Sequence, residues 1–290
     1  MGTSGPKPHW ISMSILAAVS SSQTRTGIRV VVAGVEKVGK TTFGASSPRP
    51  LLIPLETGYA GVVVNKTPML ENLAFVTQLL AEIIGQCQAG TFPYQTLVFD
   101  SATALERLVH LAVLATDTGY SPGNPKAVTM ESALGGYGKA YTYANELFDT
   151  FLKTCDYLAT VHGMNIVLTC HVFAARVMDP TAGEYDSWDL LMHSPKNQKT
   201  YGKREMLTQW ADVVGFLHEP LFVIEGEKGK MSKGVSANKG RVLAVNRTPA
   251  YVAGNRFGLT ADIALPKEAG WNHLAHAIHT SCGLDVFNRD

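Results

Sequence analysis

The chain has 290 residues, of which 46% are hydrophobic and 17% are charged, and its formal net charge is +1 at pH 7. A chain of this composition can bury a sizeable core, and its length allows one large α/β domain or two smaller domains. The near-neutral charge excludes a global positive field that would attract nucleic acid, so any such binding depends on local patches.

Cysteine spacing and hydropathy favour a cytoplasmic protein. Four cysteines lie far apart and form no C-x-x-C pair, as is typical of free thiols in a reducing compartment: Cys87, Cys155, Cys170 and Cys282. Residues 10–19 are mildly apolar but are interrupted by Ser12 and Ser14, so residues 1–27 are interpreted as an N-terminal tail or docking segment. No apolar run reaches the length of a membrane helix, and no membrane partner is expected.

The first predicted strand, residues 28–33, leads into a complete phosphate-binding loop. Residues 34–41 read GVEKVGKT and match G-x-x-x-x-G-K-[ST]. In such a loop backbone N–H groups point at phosphate oxygens, Lys40 reaches the β- and γ-phosphates, and the Thr41 hydroxyl can bind Mg²⁺. A helix predicted over residues 40–46 adds the partial positive charge of its N-terminus. The nucleotide-binding candidates are Gly34, Val35, Glu36, Lys37, Val38, Gly39, Lys40, Thr41 and Thr42.

Strands and helices continue to alternate after the loop. Further strands are predicted at residues 51–53, 72–76, 94–99 and 165–170, and helices at residues 77–88, 101–116 and 139–162. Thr77 and Ser101 are the predicted helix N-caps. This alternation predicts an α/β fold with a mainly parallel sheet flanked by helices.

The segments that follow are more irregular. Residues 119–138 are rich in Gly, Pro and Ser, and residues 172–205 are polar, and loops this long are usually functional or mobile. Strands are predicted at residues 213–217, 221–225 and 241–245, the last two as an antiparallel hairpin with a basic tip, and a closing helix at residues 269–281. The predicted organisation is a tail over residues 1–27, a nucleotide-binding domain over residues 28–265, and a C-terminal helix and tail over residues 266–290.

Three polar residues end predicted strands, at the edge where ligands bind in open α/β sheets. Asp100 can hold Mg²⁺ through water, opposite Thr41. Glu56 is the candidate to orient and deprotonate an attacking water, with an exposed turn glutamate as the alternative. His171 can sense the γ-phosphate, with a hydrogen-bonded core histidine as the alternative.

The C-terminal segment repeats metal-binding residue types at every third position: His273, His276, His279 and Cys282. On a helix this spacing could bring two or three ligands near one metal. Because the spacing drifts around the helix and no second ligand cluster is present in the sequence, we expect no metal there.

Taken together, these segments resemble the RecA-like ATPases, and most closely the phage ATP-binding proteins grouped with the Sak-type single-strand annealing proteins. The resembling segments, in the expected order, are GVEKVGKTTFGAS (34–46), LLIPLETG (51–58), TLVFDSATALERL (96–108), GGYGKAY (135–141), NIVLTCH (165–171) and RVLAVNRTPAYVAGNRFGL (241–259). The resemblance implies a RecA-like core with C-terminal antiparallel strands, ATP and Mg²⁺ as cofactors, and the host cytoplasm as the location if the chain is phage-encoded.

The resemblance also implies roles for single residues. Glu56 is expected to be the catalytic base and His171 the sensor. Arg247 and Arg256 are alternative candidates for an arginine that reaches the phosphates of a neighbouring subunit in a head-to-tail ring or filament. RecA-like chains often carry Asp two residues before the glutamate, where this chain has Pro54, a residue disfavoured in a central strand.

Two loops that hold DNA in RecA-like proteins correspond to residues 117–138 and 172–205. Cationic side chains there can neutralise phosphates and aromatic side chains can stack on unpaired bases. The DNA-binding candidates are Lys126, Arg176, Lys196, Lys199, Lys203 and Arg204. The alternative is an ordinary mobile loop.

The sequence therefore leaves three functions open. The first is an ATPase that acts on single-stranded DNA in recombination or strand annealing. The second is an annealing or mediator protein in which ATP serves only as an assembly switch. The third is a nucleotide-binding partner of a replicative helicase, recruited through residues 1–27. The expected partners are single-stranded DNA, further copies of the chain, and a single-strand binding protein.

Overall fold

A computed structural model describes most of the chain. The described residues are 27–120, 128–181, 183–195, 201–224, 233–236, 240–266 and 270–286. Within these residues no helix is both long enough and apolar enough to cross a membrane.

A twisted central sheet of eight strands organises the molecule, in the order β12-β10-β7-β1-β4-β3-β2, with β11 also paired to β7. Five strands are parallel: β1 (Arg29–Ala33), β2 (Pro50–Pro54), β3 (Thr96–Asp100), β4 (Asn165–Cys170) and β7 (Val213–His218). Three shorter strands are antiparallel to their neighbours: β10 (Arg241–Ala244), β11 (Gly254–Asn255) and β12 (Ile263–Leu265). The predicted fold class is confirmed.

Within the described residues, six α-helices cover the two faces of the sheet: α1 (Lys40–Ala45), α2 (Leu73–Gln88), α3 (Ala102–Leu114), α4 (Lys139–Val161), α5 (Lys203–Trp210) and α6 (Trp271–Cys282). Helices α2, α3, α4 and α5 bury apolar side chains in the larger core, on one face. On the other face α1 and α6 share a second core, in which Phe43 and Trp271 pack with ring centroids 6.2 Å apart. The sheet is thus buried on both sides, as an open parallel sheet requires.

The strand predicted at residues 72–76 is wrong, because these residues belong to α2. The Asn72 side chain accepts the N–H of Phe75 at 2.9 Å and caps the helix. Val76, Leu80 and Ile83 then form one buried stripe at helical spacing. Thr77 is therefore an interior residue of the helix and not its cap.

The irregular loop predicted at residues 172–205 is also wrong. Residues Val172–Asp179 (β5) and Gly183–Leu190 (β6) form a two-stranded antiparallel hairpin, and residues from Lys203 onward form α5. The Asp179 carboxylate accepts hydrogen bonds from the N–H and hydroxyl of Thr181, which stabilises the turn. Polar residues on both faces of this hairpin hid its strand character in the sequence.

The hairpin predicted between residues 221–225 and 241–245 is wrong in its strand pairing. β8 (Leu221–Ile224) pairs with β9 (Lys233–Ser236), whereas β10 joins the central sheet between β7 and β12. Of the predicted basic tip, Lys228, Lys230 and Lys239 lie outside the described residues.

Candidate nucleotide-binding site

The parallel register brings the predicted site residues to one edge of the sheet. Ala33 lies beside Cys170, and Pro54 lies beside Asp100. The phosphate-binding loop, Glu56, Asp100 and His171 therefore meet beyond the carboxyl ends of β1, β2, β3 and β4, as expected for an open α/β sheet. They line a cavity of about 390 Å³.

Pro54 does not disturb this register because β2 is the edge strand of the sheet. Its register with β3 is continuous from Pro50 to Pro54. On an edge strand the missing N–H of proline removes no central ladder bond. The chain can thus place Glu56 beside β3 without a distortion of the sheet.

Lys40 is folded into the loop that precedes it. It is 6% exposed, and its Nζ donates hydrogen bonds to the carbonyl oxygens of Gly34 and Val35, both at 2.8 Å. Burial lowers the pKa of Lys40, and the charge of Asp100 opposes this effect. A triphosphate would replace the two carbonyls as the partner of this ammonium group.

Arg241, the first residue of β10, donates hydrogen bonds to the tip of the phosphate loop. Its Nη1 donates to the carbonyl oxygens of Val38 at 3.1 Å and Gly39 at 3.2 Å, and its Nη2 donates to Pro266 O at 2.7 Å. The sequence predicts a strand here but indicates no role for Arg241. No local pattern signals this contact, because some 200 residues separate the partners.

Thr41 and Asp100 form the oxygen pair that a Mg²⁺ ion needs. The Thr41 hydroxyl donates to Asp100 Oδ2 at 2.8 Å, and the Thr169 hydroxyl donates to Asp100 Oδ1. Asp100 is 8% exposed, so its carboxylate is fixed inside the cavity. Oxygen donors of this kind fit Mg²⁺, which prefers few carboxylates and keeps part of its water shell. Thr41 and Asp100, the residues predicted from the sequence, are the pair that would hold the ion.

Glu56 is held by three neighbours. Its Oε1 accepts hydrogen bonds from the Ser101 hydroxyl at 2.5 Å and lies 2.9 Å from His171 Nε2. Its Oε2 lies 3.6 Å from Arg107 of α3. No sequence pattern indicates that Ser101 or Arg107 contacts Glu56. Ser101 is predicted only as a helix cap, a role it also has by accepting the N–H of Ala104.

These neighbours keep Glu56 ionised. Burial opposes ionisation, but the hydrogen bonds from His171 and Ser101 outweigh it and hold the pKa of Glu56 below its usual value. The carboxylate is consequently an acceptor at neutral pH. It can receive a hydrogen bond from water in the cavity once one of its oxygens is free.

The two arginines that were candidates for a neighbour's site lie elsewhere. Arg256 follows β11, and its Nη1 is 3.2 Å from Asp212, which precedes β7. This places Arg256 at the amino end of β7, whereas the phosphate loop lies at the carboxyl edge of the sheet. Arg247 is exposed, three residues after β10 ends. Neither contacts the site of its own chain in any described interaction.

Two DNA-binding candidates are corrected by the structure. Lys203 is fully buried, with its Nζ 3.5 Å from Glu106 and 3.3 Å from Asn145 Oδ1. Arg204 is paired with Asp189 at 2.6 Å and with Glu205 at 2.9 Å. Both cations neutralise carboxylates of the protein itself, so the prediction that they bind DNA phosphates is wrong.

The remaining DNA candidates divide into two groups. Arg176 is exposed but lies on the β5–β6 hairpin, 3.7 Å from Glu184 and 3.9 Å from Asp186. That hairpin carries one arginine and four carboxylates, so its charge disfavours contact with phosphate. Lys126, Lys196 and Lys199 lie outside the described residues.

The histidines of the C-terminal segment lie on α6. His273, His276 and His279 are exposed. Across the described part of the chain, no group of three or more His, Cys, Asp or Glu residues could hold a metal ion.

Comparison with known proteins identifies one family. A family model described as an AAA domain matches residues 26–257, which include the phosphate-binding loop and all strands from β1 to β11. No curated protein matches the chain significantly.

The contact between Arg241 and the loop predicts a cost for any side chain at Gly39. Gly39 has φ 97°, and an added Cβ would lie 1.8 Å from Arg241 Nη1. Gly39→Ala should therefore displace a buried guanidinium as well as strain the backbone, lowering the free energy of unfolding by about 2–4 kcal/mol in urea denaturation.

Gly90→Ala is the matched control, because Gly90 has φ 69° and nothing within 4 Å of an added Cβ. It should show the backbone strain alone, about 1–2 kcal/mol. Equal losses in the two variants would show that Arg241 does not constrain the loop.

Proposed function

Because the chain belongs to the AAA domain family of P-loop ATPases, we propose that it binds ATP with Mg²⁺ at the carboxyl edge of its sheet and hydrolyses the γ-phosphate. One observation carries the proposal. The Thr41–Asp100 pair and the Glu56 carboxylate face the same cavity as the phosphate loop. Phosphate binding, Mg²⁺ binding and water activation are thus available within one site.

The loop and Lys40 would bind the phosphates. Backbone N–H groups of the loop and the N-terminus of α1 offer fixed positive ends of dipoles. The Lys40 ammonium leaves the carbonyl oxygens of Gly34 and Val35 and pairs with the β- and γ-phosphate oxygens. This exchange is favourable because a charged phosphate is a better acceptor than a neutral carbonyl.

Thr41 and Asp100 would hold Mg²⁺, which neutralises negative charge on the transferred phosphoryl group when bound. The Thr169 hydroxyl orients the Asp100 carboxylate from the opposite side. Asp100 therefore needs no rearrangement of its strand to meet the ion.

Glu56 would orient the attacking water and accept its proton. His171 Nε2 now contacts the Glu56 oxygen, and His171 directly precedes β5. A shift of His171 towards a bound γ-phosphate would release Glu56 and move the start of the hairpin. His171 is thus the proposed sensor, and this contact couples turnover to the β5–β6 hairpin.

The contact between His171 and Glu56 also supports the second candidate function, in which ATP acts mainly as a switch. As long as His171 and Ser101 occupy Oε1 of Glu56, the carboxylate is a poor base for water. An isolated chain would then bind ATP but turn it over slowly.

A neighbouring copy of the chain would complete the site. Arg256 is held at the amino end of β7 and cannot serve its own phosphate loop. A head-to-tail assembly would present Arg256, or the exposed Arg247, to the next subunit, where a guanidinium stabilises developing charge. Ring and filament are both compatible with this arrangement.

Single-stranded DNA is the proposed effector, in recombination or strand annealing of the Sak type. The support is the sequence resemblance, together with three lysines of the corresponding sequence segments, which lie outside the described residues: Lys126, Lys196 and Lys199. A single-strand binding protein or a replicative helicase would be a further partner of the same pathway.

The first test is ATP turnover in two variants. Lys40→Ala should lose ATP binding, because the ammonium group that would pair with the β- and γ-phosphates is removed from the loop. Glu56→Gln should keep ATP binding but lower kcat by about 10²-fold or more, because an amide cannot accept the proton from water. Glu71→Gln, at an exposed position before α2, is the control and should match the wild type. Wild-type turnover in Glu56→Gln would remove the assigned role.

The second test concerns DNA. Fluorescence anisotropy with a labelled single-stranded oligonucleotide should show binding by the wild type in the presence of ATP. The triple variant Lys126→Ala, Lys196→Ala, Lys199→Ala should weaken it at least tenfold and reduce its salt dependence, because three phosphate contacts are lost. Arg176→Ala should have little effect, since Arg176 already faces two carboxylates. Unchanged binding by the triple variant would contradict the proposed DNA contact.

A further inference from the structure

The order of the strands determines in which direction a nucleotide would extend across the proposed site. Glu56, Asp100 and His171 follow β2, β3 and β4, all on one side of β1. On the other side of β1 lie β7 and then β10. If the γ-phosphate faces Glu56, as proposed above, the α-phosphate and the ribose must extend towards β7 and β10.

A second cavity lies where the ribose is expected. Its volume is about 330 Å³, and Glu219, Gly240 and Arg241 line it beyond the ends of β7 and β10. It shares Gly39 and Thr42 with the phosphate cavity. The two cavities therefore adjoin each other at the loop and the start of α1, where an α-phosphate would join a ribose.

The charged side chains that line this second cavity differ in what they can bind. Arg241 is directed at the carbonyl oxygens of Val38, Gly39 and Pro266 and serves the loop. Among the described residues that line the cavity, Glu219 supplies the carboxylate. A carboxylate only accepts hydrogen bonds, and the vicinal 2′- and 3′-hydroxyls of a ribose are two donors at matching spacing.

Glu219 is well placed for this task. It directly follows β7, so the sheet fixes its backbone, and its side chain is exposed to the cavity rather than buried in the core. Burial lowers the pKa of Arg241, and the negative charge of Glu219 opposes this effect, so Glu219 interacts electrostatically with the arginine that contacts the end of the phosphate loop. Ribose contact and loop position are thus connected.

We propose that Glu219 accepts hydrogen bonds from the 2′- and 3′-hydroxyls of the nucleotide, so that the site selects ribonucleoside triphosphates over 2′-deoxyribonucleoside triphosphates. The inference rests on the proposed function, since it assumes that the phosphates occupy the loop. It adds to the proposed function the class of sugar that the site accepts and the residue that binds this sugar.

The experiment compares the dissociation constants of ATP and 2′-deoxy-ATP for three full-length proteins, measured by calorimetry with Mg²⁺. The wild type should bind ATP about tenfold more tightly than 2′-deoxy-ATP, because one hydrogen bond to a charged group is lost with the hydroxyl. Glu219→Gln should bring the ratio close to one, because ATP loses two hydrogen bonds to a carboxylate and 2′-deoxy-ATP loses only the one from its 3′-hydroxyl. The affinity that remains for 2′-deoxy-ATP reports whether the variant is folded. Glu82→Gln, on the exposed face of α2, should keep the wild-type ratio.

Two results would overturn the inference while leaving the proposed function intact: equal affinities of the wild type for both nucleotides, or an unchanged ratio in Glu219→Gln. If the wild type bound neither nucleotide, the proposed function itself would fail. Glu219→Asp provides a second variant. It retains a carboxylate one methylene shorter, and it should keep part of the preference that Glu219→Gln loses.

Discussion

The geometry of the site depends on two hydrogen bonds that the Asp100 carboxylate accepts. One of its oxygens accepts the hydroxyl of Thr41 in α1, and the other accepts the hydroxyl of Thr169 in β4. A buried carboxylate is costly unless it is hydrogen-bonded, and these two bonds satisfy it. They also fix the helix that follows the phosphate loop against two central strands. The phosphate loop, the two residues proposed to bind magnesium and the edge of the sheet consequently keep one geometry.

A second set of contacts surrounds this centre and connects it with the rest of the molecule. Arg241 ties the loop to β10 and to Pro266. His171 ties Glu56 to the start of the β5–β6 hairpin, and Arg107 ties it to α3. A ligand that displaces Lys40 or His171 would therefore act on elements outside the cavity. This is the arrangement expected of a nucleotide-dependent switch, in which a local charge contact biases a larger element.

The central half of the fold could be predicted from the sequence because its signals are local. The phosphate loop, the apolar strand that ends in Asp100, and the strand before His171 each carry their pattern within ten residues. The failures have long-range causes. β5 and β6 pair with each other outside the central sheet, and Lys203 is buried in contact with Glu106 of α3. Arg241 meets the loop across the whole domain, a contact that no sequence pattern reports.

The most direct test of the account is a structure of the chain determined with a non-hydrolysable ATP analogue and Mg²⁺. We expect a triphosphate in the loop and a metal ion between Thr41 and Asp100. We also expect Lys40 Nζ to have moved from the carbonyl oxygens of Gly34 and Val35 to the β- and γ-phosphates. A loop that stays closed on Lys40, with the analogue bound elsewhere or not at all, would contradict it.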